Sequence, residues 1–355
     1  MTKMALKDIK SMTERELEQD FSGLGVPAFR ARQVYKWLQP GAVDEFEKMT
    51  DLPKAFREIL SQKYYICVAT IEKKLISNYD NTIKYLFRFR DGEYVESVLM
   101  EYHHGYTICV STQVGCKMGC TFCATGKSGF SRNLTASEMI SQIQSAQADA
   151  GIRISNVVLM GMGEPLDNYD NVLRFLELVA SEAGMNIGMR HISLSTCGVV
   201  DKIYDLADHK LQLTLSVSLH APNDRIRSQT MPVNRKWNME ELLKACRYYS
   251  ETTHRRISFE YAMISGVNDS DACARELAGR LRGTLSHVNL IPVNEGAGAG
   301  YRKSSADRLQ RFRHILEKNG LTATVRRTLG SDINASCGQL RRRHEEEVAD
   351  LAGMQ

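Results

Sequence analysis

Cys116-x-x-x-Cys120-x-x-Cys123 places three thiols within eight residues. Three thiolates so close along the chain can wrap one metal group. A [4Fe–4S] cluster ordinarily takes four cysteines, so three would leave one iron open, much as a catalytic zinc site keeps one position free for substrate. Zinc is the competing occupant, with His103, His104 or a distant cysteine as fourth ligand. Three buried thiols that hold nothing are the plain alternative. Further along, four short runs place small or polar groups where a chain reversal is expected: Gly161-Met162-Gly163-Glu164-Pro165, Ser195-Thr196-Cys197-Gly198, Ser218-Leu219-His220-Ala221, and Asn294.

These groups need a scaffold, and the hydrophobic pattern supplies one. From Tyr106 onward, apolar runs alternate with amphipathic stretches. Strands are expected at 106–112, 154–161, 191–196, 212–219, 256–263 and 286–292, each followed by a helix, at 135–150, 169–182, 200–208, 238–253, 269–281 and 304–319, with a last strand at 322–328. Strands alternating with helices argue for a parallel sheet that right-handed crossovers curl toward a barrel. Six such units are two short of the eightfold barrel. Loops that follow parallel strands line the functional face, and the cysteine loop and all four polar runs fall in such loops.

The first hundred residues read differently. Helices are expected from Thr13, over 27–38 and over 52–63, followed by strands at 82–90 and 94–102 joined by the Asp91-Gly92 turn. The chain is therefore expected to divide into an N-terminal helical unit with the start of a β extension (1–90), a partial (βα)6 barrel with a C-terminal loop (91–343), and a tail (344–355).

Composition limits the function classes. The 355 residues carry 46 Lys plus Arg against 42 Asp plus Glu, a net charge of +4 that permits a nucleic-acid partner without requiring one. No run of 18 apolar residues is present, so no membrane span is expected. The stretch Met1–Asp20 has no signal-peptide pattern, so a cytoplasmic protein is expected. Nine cysteines, an odd count, argue against a disulfide scaffold.

The longer motifs resemble one family closely. The runs CVSTQVGCKMGCTFCATGKSGFSRNLT, GMGEPLDN, LSTCGVV, SLHAPNDRIR, GVNDS, HVNLIPVN and ASCGQL are similar to those of the radical S-adenosylmethionine (SAM) RNA adenine-C2 methyltransferases of the RlmN type, whose close kin is the adenine-C8 enzyme Cfr. The resemblance spans about residues 15 to 343. It implies a radical SAM barrel, a [4Fe–4S] cluster and SAM. It implies methylation of adenine C2 in 23S rRNA, at the peptidyl-transferase centre, and in tRNA, just 3′ of the anticodon. The chemistry is consistent, because an adenine ring carbon has no lone pair with which to displace a sulfonium methyl, and a radical route avoids that difficulty.

In the family one SAM methylates a cysteine, a second is cleaved to a radical that activates that methyl group, and the resulting protein–RNA adduct is resolved by another cysteine through a disulfide. Carried over by position, the resemblance implies Cys116, Cys120 and Cys123 as cluster ligands and Cys337 as the methylated cysteine. It implies Cys109 as the resolving thiol, Glu96 as proton acceptor, and Gly163, Glu164, Ser195, Ser218, Leu219, His220 and Asn294 as SAM-binding residues. Cys67, Cys197, Cys246 and Cys273 match no role and are expected in packing, with Cys197 within reach of the pocket. Two positions depart from the family pattern: the glycine-rich run 295–301, where proline is common, and Asn334, where aspartate is usual. Lys127, Arg132, Arg326, Arg327 and Arg341–Arg343 flank the motifs and are candidates for phosphate contacts. A flavodoxin or ferredoxin as electron donor and a monomeric state complete the expectations. A C8 methyltransferase of Cfr type, which would confer antibiotic resistance, is the alternative enzyme. A non-catalytic RNA-binding protein with a structural metal site is the alternative of another class.

Overall fold

The computed structural model describes residues 6–293, 300–335, 340, 341 and 344. The N-terminal unit comprises β1 (Lys7–Asp8), α1 (Glu14–Ser22), α2 (Phe29–Leu38), α3 (Lys54–Lys63) and β2 (Tyr64–Tyr65), with β1 and β2 paired in parallel. Thr13 starts α1 through a capping box: its hydroxyl accepts the Glu16 N–H at 3.2 Å and the Glu16 carboxylate accepts the Thr13 N–H at 2.8 Å.

The chain then enters β3 (Thr70–Ile76), β4 (Ile83–Arg88), β5 (Tyr94–Tyr102) and β6 (Gly105–Cys109), an antiparallel meander. A small hairpin, β7 (Gln113–Gly115) and β8 (Phe130–Asn133), brackets the cysteine loop and the one-turn α4 (Ala124–Lys127). Next come α5 (Ala136–Ala150), β9 (Ile154–Leu159), α6 (Tyr169–Ala180), β10 (Ile192–Thr196), α7 (Val200–Asp208), β11 (Thr214–Ser218), α8 (Asp224–Thr230), α9 (Met239–Thr253), β12 (Ile257–Met263), α10 (Asp271–Leu281), β13 (Ser286–Pro292), α11 (Ala306–Lys318) and β14 (Thr322–Val325).

All six strand–helix units expected from the sequence are present. They lie in one ten-stranded sheet ordered β14-β13-β12-β11-β10-β9-β6-β5-β4-β3, parallel from β6 to β14. The spatial order of the parallel strands follows chain order, and β14 and β3 do not pair with each other, so the barrel is open, as six units require. The antiparallel β5-β4-β3 extension continues the sheet past β6.

Several elements depart from the sequence reading: the short β1, β2, β7, β8 and α4 are not expected from it, and three further cases are informative. β3 was not anticipated, because Lys73 and Lys74 interrupt the alternation of TIEKKLI. The expected strand at 322–328 stops at Val325, after which residues 326–329 leave the sheet to wall a cavity. α8 begins where the Asn223 side chain accepts the Ile226 N–H at 3.0 Å.

The N-terminal helices do not form a core of their own. One continuous hydrophobic cluster runs from Ile9 through the helices to Ala323 of β14. Polar contacts reinforce the junction: the buried Lys10 ammonium donates to the Cys67 carbonyl at 2.6 Å and the Gln144 amide oxygen at 3.0 Å, and Gln144 in turn donates to Leu38 and Gln39 carbonyls. Burial pushes Lys10 down to about 8. The expected division at residue 90 falls just past β4, a strand of the main sheet.

Candidate active site

A cavity of about 370 Å³ opens at the C-terminal ends of the parallel strands. Its wall is built strand by strand. β6 ends in Cys109, β9 in the turn 160–165, β10 in Ser195 and Cys197, β11 in Ser218 and His220, and β14 in residues 326–329; Glu260 enters from β12. Cys116, Cys120 and Cys123 lie on the same wall, each a free thiol.

The cysteine loop is held at both ends. The Cys116 N–H donates to the Gly129 carbonyl at 2.8 Å, across the β7–β8 hairpin, and the Thr121 N–H donates to Thr230 of α8 at 2.9 Å. Gly115 sits at φ +79, and a Cβ there would lie 2.0 Å from the Gly129 carbonyl oxygen, so the hairpin needs glycine at this point. The Phe122 ring stands edge-on to His220 at 4.9 Å. Burial pushes the bare Cys116 thiol up to about 12 and Cys120 higher still, so a bound metal group must displace protons from them. Among the described residues no three His, Cys, Asp or Glu side chains converge on a single-ion site. Three thiols from one short loop on the cavity wall are a donor set that fits an iron–sulfur cluster with one iron left open. His103 and His104, candidate zinc ligands from the sequence, pack on each other at the β5–β6 turn and are not lining residues.

The strand-end residues serve the chain as well as the cavity. Glu164 ties two strand ends together: one carboxylate oxygen accepts the Cys197 N–H at 2.7 Å and the other the Leu166 N–H at 3.1 Å. Its burial raises its pKa. Gly161 and Gly163 were read as allowing a ligand to approach. They also admit the chain itself, since a Cβ on Gly161 would lie 2.7 Å from the Ser111 hydroxyl oxygen and one on Gly163 2.6 Å from the Gln113 Cβ. Ser195, Ser218 and His220 line the cavity, whereas Leu219 is buried in the core, with its N–H on the Glu260 carbonyl at 3.0 Å. Asn294 and Cys337 lie outside the described residues; Val293 and Ala335, near them in the chain, both line the cavity.

His220 adopts a left-handed backbone at φ 53, and its Nδ1 accepts the Ala262 N–H at 2.9 Å. Burial first, then the Arg227 guanidinium, push its pKa down to about 3. An unfolded histidine titrates near 6.5, so below that pH the unfolded chain binds a proton that the folded chain refuses. Stability from this residue is present above about pH 6.5 and is lost as pH falls toward 3. Thermal midpoints measured across this window should therefore fall less steeply for His220→Asn, which tolerates the left-handed backbone, than for the unaltered protein. Parallel slopes would remove His220 as the cause.

Glu96 was placed in the site by the sequence reading; its partner was not. Glu96 on β5 and Lys84 on β4 form an ion pair at 2.8 Å, with side chains only 6% and 1% exposed. Cys109, facing the same cavity, is pushed up to about 11 by burial, an effect that Arg326 opposes. Three contributors were missed: Lys84, Arg227 and Glu260. Lys84 and Glu260 are charged residues inside largely apolar strands (IKYLFR, ISFEYAM), and that mismatch is the available signal, whereas Arg227 sits in the polar run DRIRSQT, which offers none. Of the other cysteines, Cys67, Cys246 and Cys273 are buried packing residues, while Cys197 reaches the cavity. Among the candidate phosphate contacts, Arg132 is already paired with Asp91 at 2.6 Å and Glu138 at 2.8 Å, and Arg341 with Glu93 at 3.2 Å, whereas Arg326 and Arg327 line the cavity.

Comparison with known proteins agrees with this geometry. Residues 110–275 match the profile of the Radical SAM superfamily, and residues 7–66 that of the ribosomal RNA large subunit methyltransferase N-terminal domain. The chain is 54% identical over 337 residues to the probable dual-specificity RNA methyltransferase RlmN of Alkaliphilus oremlandii, covering 95% of this chain and 98% of that one. It is 51% identical to the corresponding Clostridium novyi protein, covering 96% and 99%. A crystal structure of a radical SAM methyltransferase from Sphaerobacter thermophilus superposes with a TM-score of 0.90 at 46% identity, covering 94% of this chain and 98% of that one.

Proposed function

This chain belongs to the RlmN-type radical SAM methyltransferases, and from that premise we propose that it methylates C2 of adenine in 23S rRNA, at the peptidyl-transferase centre, and in tRNA, 3′ of the anticodon. Enzymes of this class use a [4Fe–4S] cluster and SAM. The observation that carries the reading is that three free thiols, the polar ends of β9, β10 and β11, Cys109 and Glu96 all line one cavity. Cys116, Cys120 and Cys123 would hold the cluster, which when bound supplies the electron for opening SAM. Gly163, Glu164, Ser195, Ser218 and His220, together with Asn294, would hold SAM against it, while Leu219, buried behind them, would only support the turn.

The chain's own residues perform the rest. The Cys337 thiolate takes a methyl group as a thioether; that methyl would give up one hydrogen atom to the radical derived from SAM, and the methylene carbon then bonds to the ring carbon while still bound to sulfur, with one electron leaving the adduct by way of the cluster. Glu96 accepts the proton that leaves the ring carbon. The Cys109 thiolate then attacks the Cys337 sulfur; the sulfur–carbon bond breaks, the released carbon takes up a proton to become the methyl group, and the two cysteines are left as a disulfide that a thiol reductant must reopen before another turnover. Chemistry on a ring carbon requires the base to be unstacked and inserted into the cavity, and Arg326 and Arg327 on its wall are suited to the flanking phosphates. The N-terminal unit, with Arg32 and Lys36 exposed on α2, would dock the RNA. We further propose a cytoplasmic monomer reduced by a flavodoxin or ferredoxin. Among the described residues no helix is long and apolar enough to cross a membrane.

Mass spectrometry of nucleosides from 23S rRNA fragments and tRNA, treated anaerobically with the reduced enzyme and SAM, tests the reading. 2-Methyladenosine is the expected product in both RNAs. 8-Methyladenosine would assign the chain to the Cfr chemistry, and no methylated nucleoside in either RNA would reject the reading.

A further inference from the structure

Lys84 is a lysine in a buried strand, and its ammonium joins two partners that lie far apart in the sequence. One is the Glu96 carboxylate, at 2.8 Å. The other is the carbonyl oxygen of Asn334, at 3.0 Å, 250 residues downstream. The second oxygen of the Glu96 carboxylate accepts the backbone N–H of Arg341 at 2.8 Å. Asn334 and Arg341 flank the stretch 335–340 that contains Cys337. One ion pair thus holds the chain on both sides of that cysteine.

We propose that Lys84 is a positioning residue for methyl transfer: together with Glu96 it clamps both ends of the Cys337 segment onto the β4–β5 edge of the cavity. The proposal rests on the reading of Cys337 as the methyl carrier. The clamp has a supporting frame. The loop between β3 and β4 grips the near side, where Asp80 accepts the Gly330 N–H at 3.0 Å, and Ser77 and the Asn78 N–H both donate to Asp332 at 2.7 Å. Asn334 turns in the left-handed region at φ 49, which aims its carbonyl at Lys84. On the far side, Arg341 also pairs with Glu93 at 3.2 Å. The frame fixes the approach to the segment, and the Lys84–Glu96 pair is the element that joins its two ends.

The chemistry gives the lysine a specific task. A carboxylate this buried needs a counter-ion, and removing one partner of a buried pair is far more disruptive than removing both. Lys84 supplies the positive charge while its other hydrogen bond seats Asn334. Glu96, held from one side by the ammonium and from the other by Arg341, cannot turn away from the cavity it lines. The carboxylate proposed to take the ring proton and the segment proposed to carry the methyl group are therefore indexed to each other by one side chain.

Trypsin provides a readout independent of turnover, because cleavage after Arg341 requires the clamped end to open. The cluster-loaded enzyme, Lys84→Met, Lys84→Arg and the double variant Lys84→Met/Glu96→Gln would be compared. Losing a charged, buried hydrogen bond should raise the open population about tenfold. Cleavage after Arg341, followed by mass spectrometry, should accelerate by that factor in Lys84→Met, and RNA methylation should fall at least as much while SAM binding is retained. Lys84→Arg, which keeps the charge and the donors, should recover part of both. In the double variant both partners of the buried ion pair are removed together and the amide oxygen introduced by Glu96→Gln can still accept the Arg341 N–H, so cleavage should slow again while methylation stays low; this variant also serves if Lys84→Met fails to fold. Cleavage after Arg341 at the unaltered rate in both variants that lack Lys84 would overturn the proposal. So would a loss of SAM binding in parallel with methylation, which would mark Lys84 as a general structural residue. If Cys337→Ala still methylates RNA, the reading of Cys337 falls, and that result is distinct from any of these.

Discussion

Cys109→Ala should leave the protein covalently joined to its RNA. Cys109 ends β6, opposite Val98 of β5, and packs beside Ala335, two residues before Cys337. This placement suits a thiol that acts only after carbon has been transferred. Without it the methylene that links the Cys337 sulfur to the base has no partner to displace it. Burial pushes the Cys109 pKa up to about 11, so at neutral pH it waits as a thiol. It must lose its proton within the cavity, where the positive charges of Arg326 and Lys84 favour the thiolate and the Glu96 carboxylate opposes it. The expected band on a denaturing gel with labelled RNA is a conjugate in Cys109→Ala, none in Cys337→Ala, and a slowly resolving one in Glu96→Gln. A conjugate in Cys337→Ala would reverse the roles given to the two thiols. Its absence in Cys109→Ala, with Cys337 methylated, would remove Cys109 from the reaction.

The parts of this site that the sequence revealed are those written in local patterns. The Cys116–Cys123 spacing lies inside one loop, and the six strand–helix units are legible because strands buried by helices on a parallel sheet read as apolar runs. What escaped depends on contacts remote in the chain. Glu96 could be named, but Lys84 lies two strands from the nearest motif, and its link to Asn334 spans 250 positions. The N-terminal helices look separable because their amphipathic faces point to some partner, and no local pattern says that the partner is α5 and the sheet it covers. The glycines after β9 were legible as close-approach positions, yet what comes close is Ser111 and Gln113 as well as any ligand.

Arg227 is the residue whose replacement should damage both fold and site. It is 0% exposed, on α8, and among the described residues no carboxylate accepts its hydrogen bonds. Its guanidinium instead gathers main-chain carbonyls: Nη2 donates to Cys197 at 2.6 Å and Ser218 at 3.2 Å, and Nε to Leu219 at 3.2 Å, while Nη1 reaches the Asn234 amide oxygen at 3.0 Å. The ends of β10 and β11 are thereby held together where the cavity needs them. Arg227→Met fills similar space but leaves those carbonyls facing an apolar chain, at about 1–3 kcal/mol for each acceptor left unsatisfied. Relief from burying a charge, visible in the lowered Arg227 pKa, offsets part of that loss. A net destabilisation of about 3 kcal/mol is expected, of the size seen when buried polar networks are broken. SAM affinity of the cluster-loaded protein should fall by more than the stability change alone would explain, because Ser218 and Cys197 would no longer share one fixed wall. Thermal unfolding and equilibrium SAM binding, measured on Arg227→Met and Arg227→Lys, check this. Lower stability with unchanged SAM affinity in Arg227→Met would confine Arg227 to the fold, and no change in either would show that the four hydrogen bonds do not hold the strand ends.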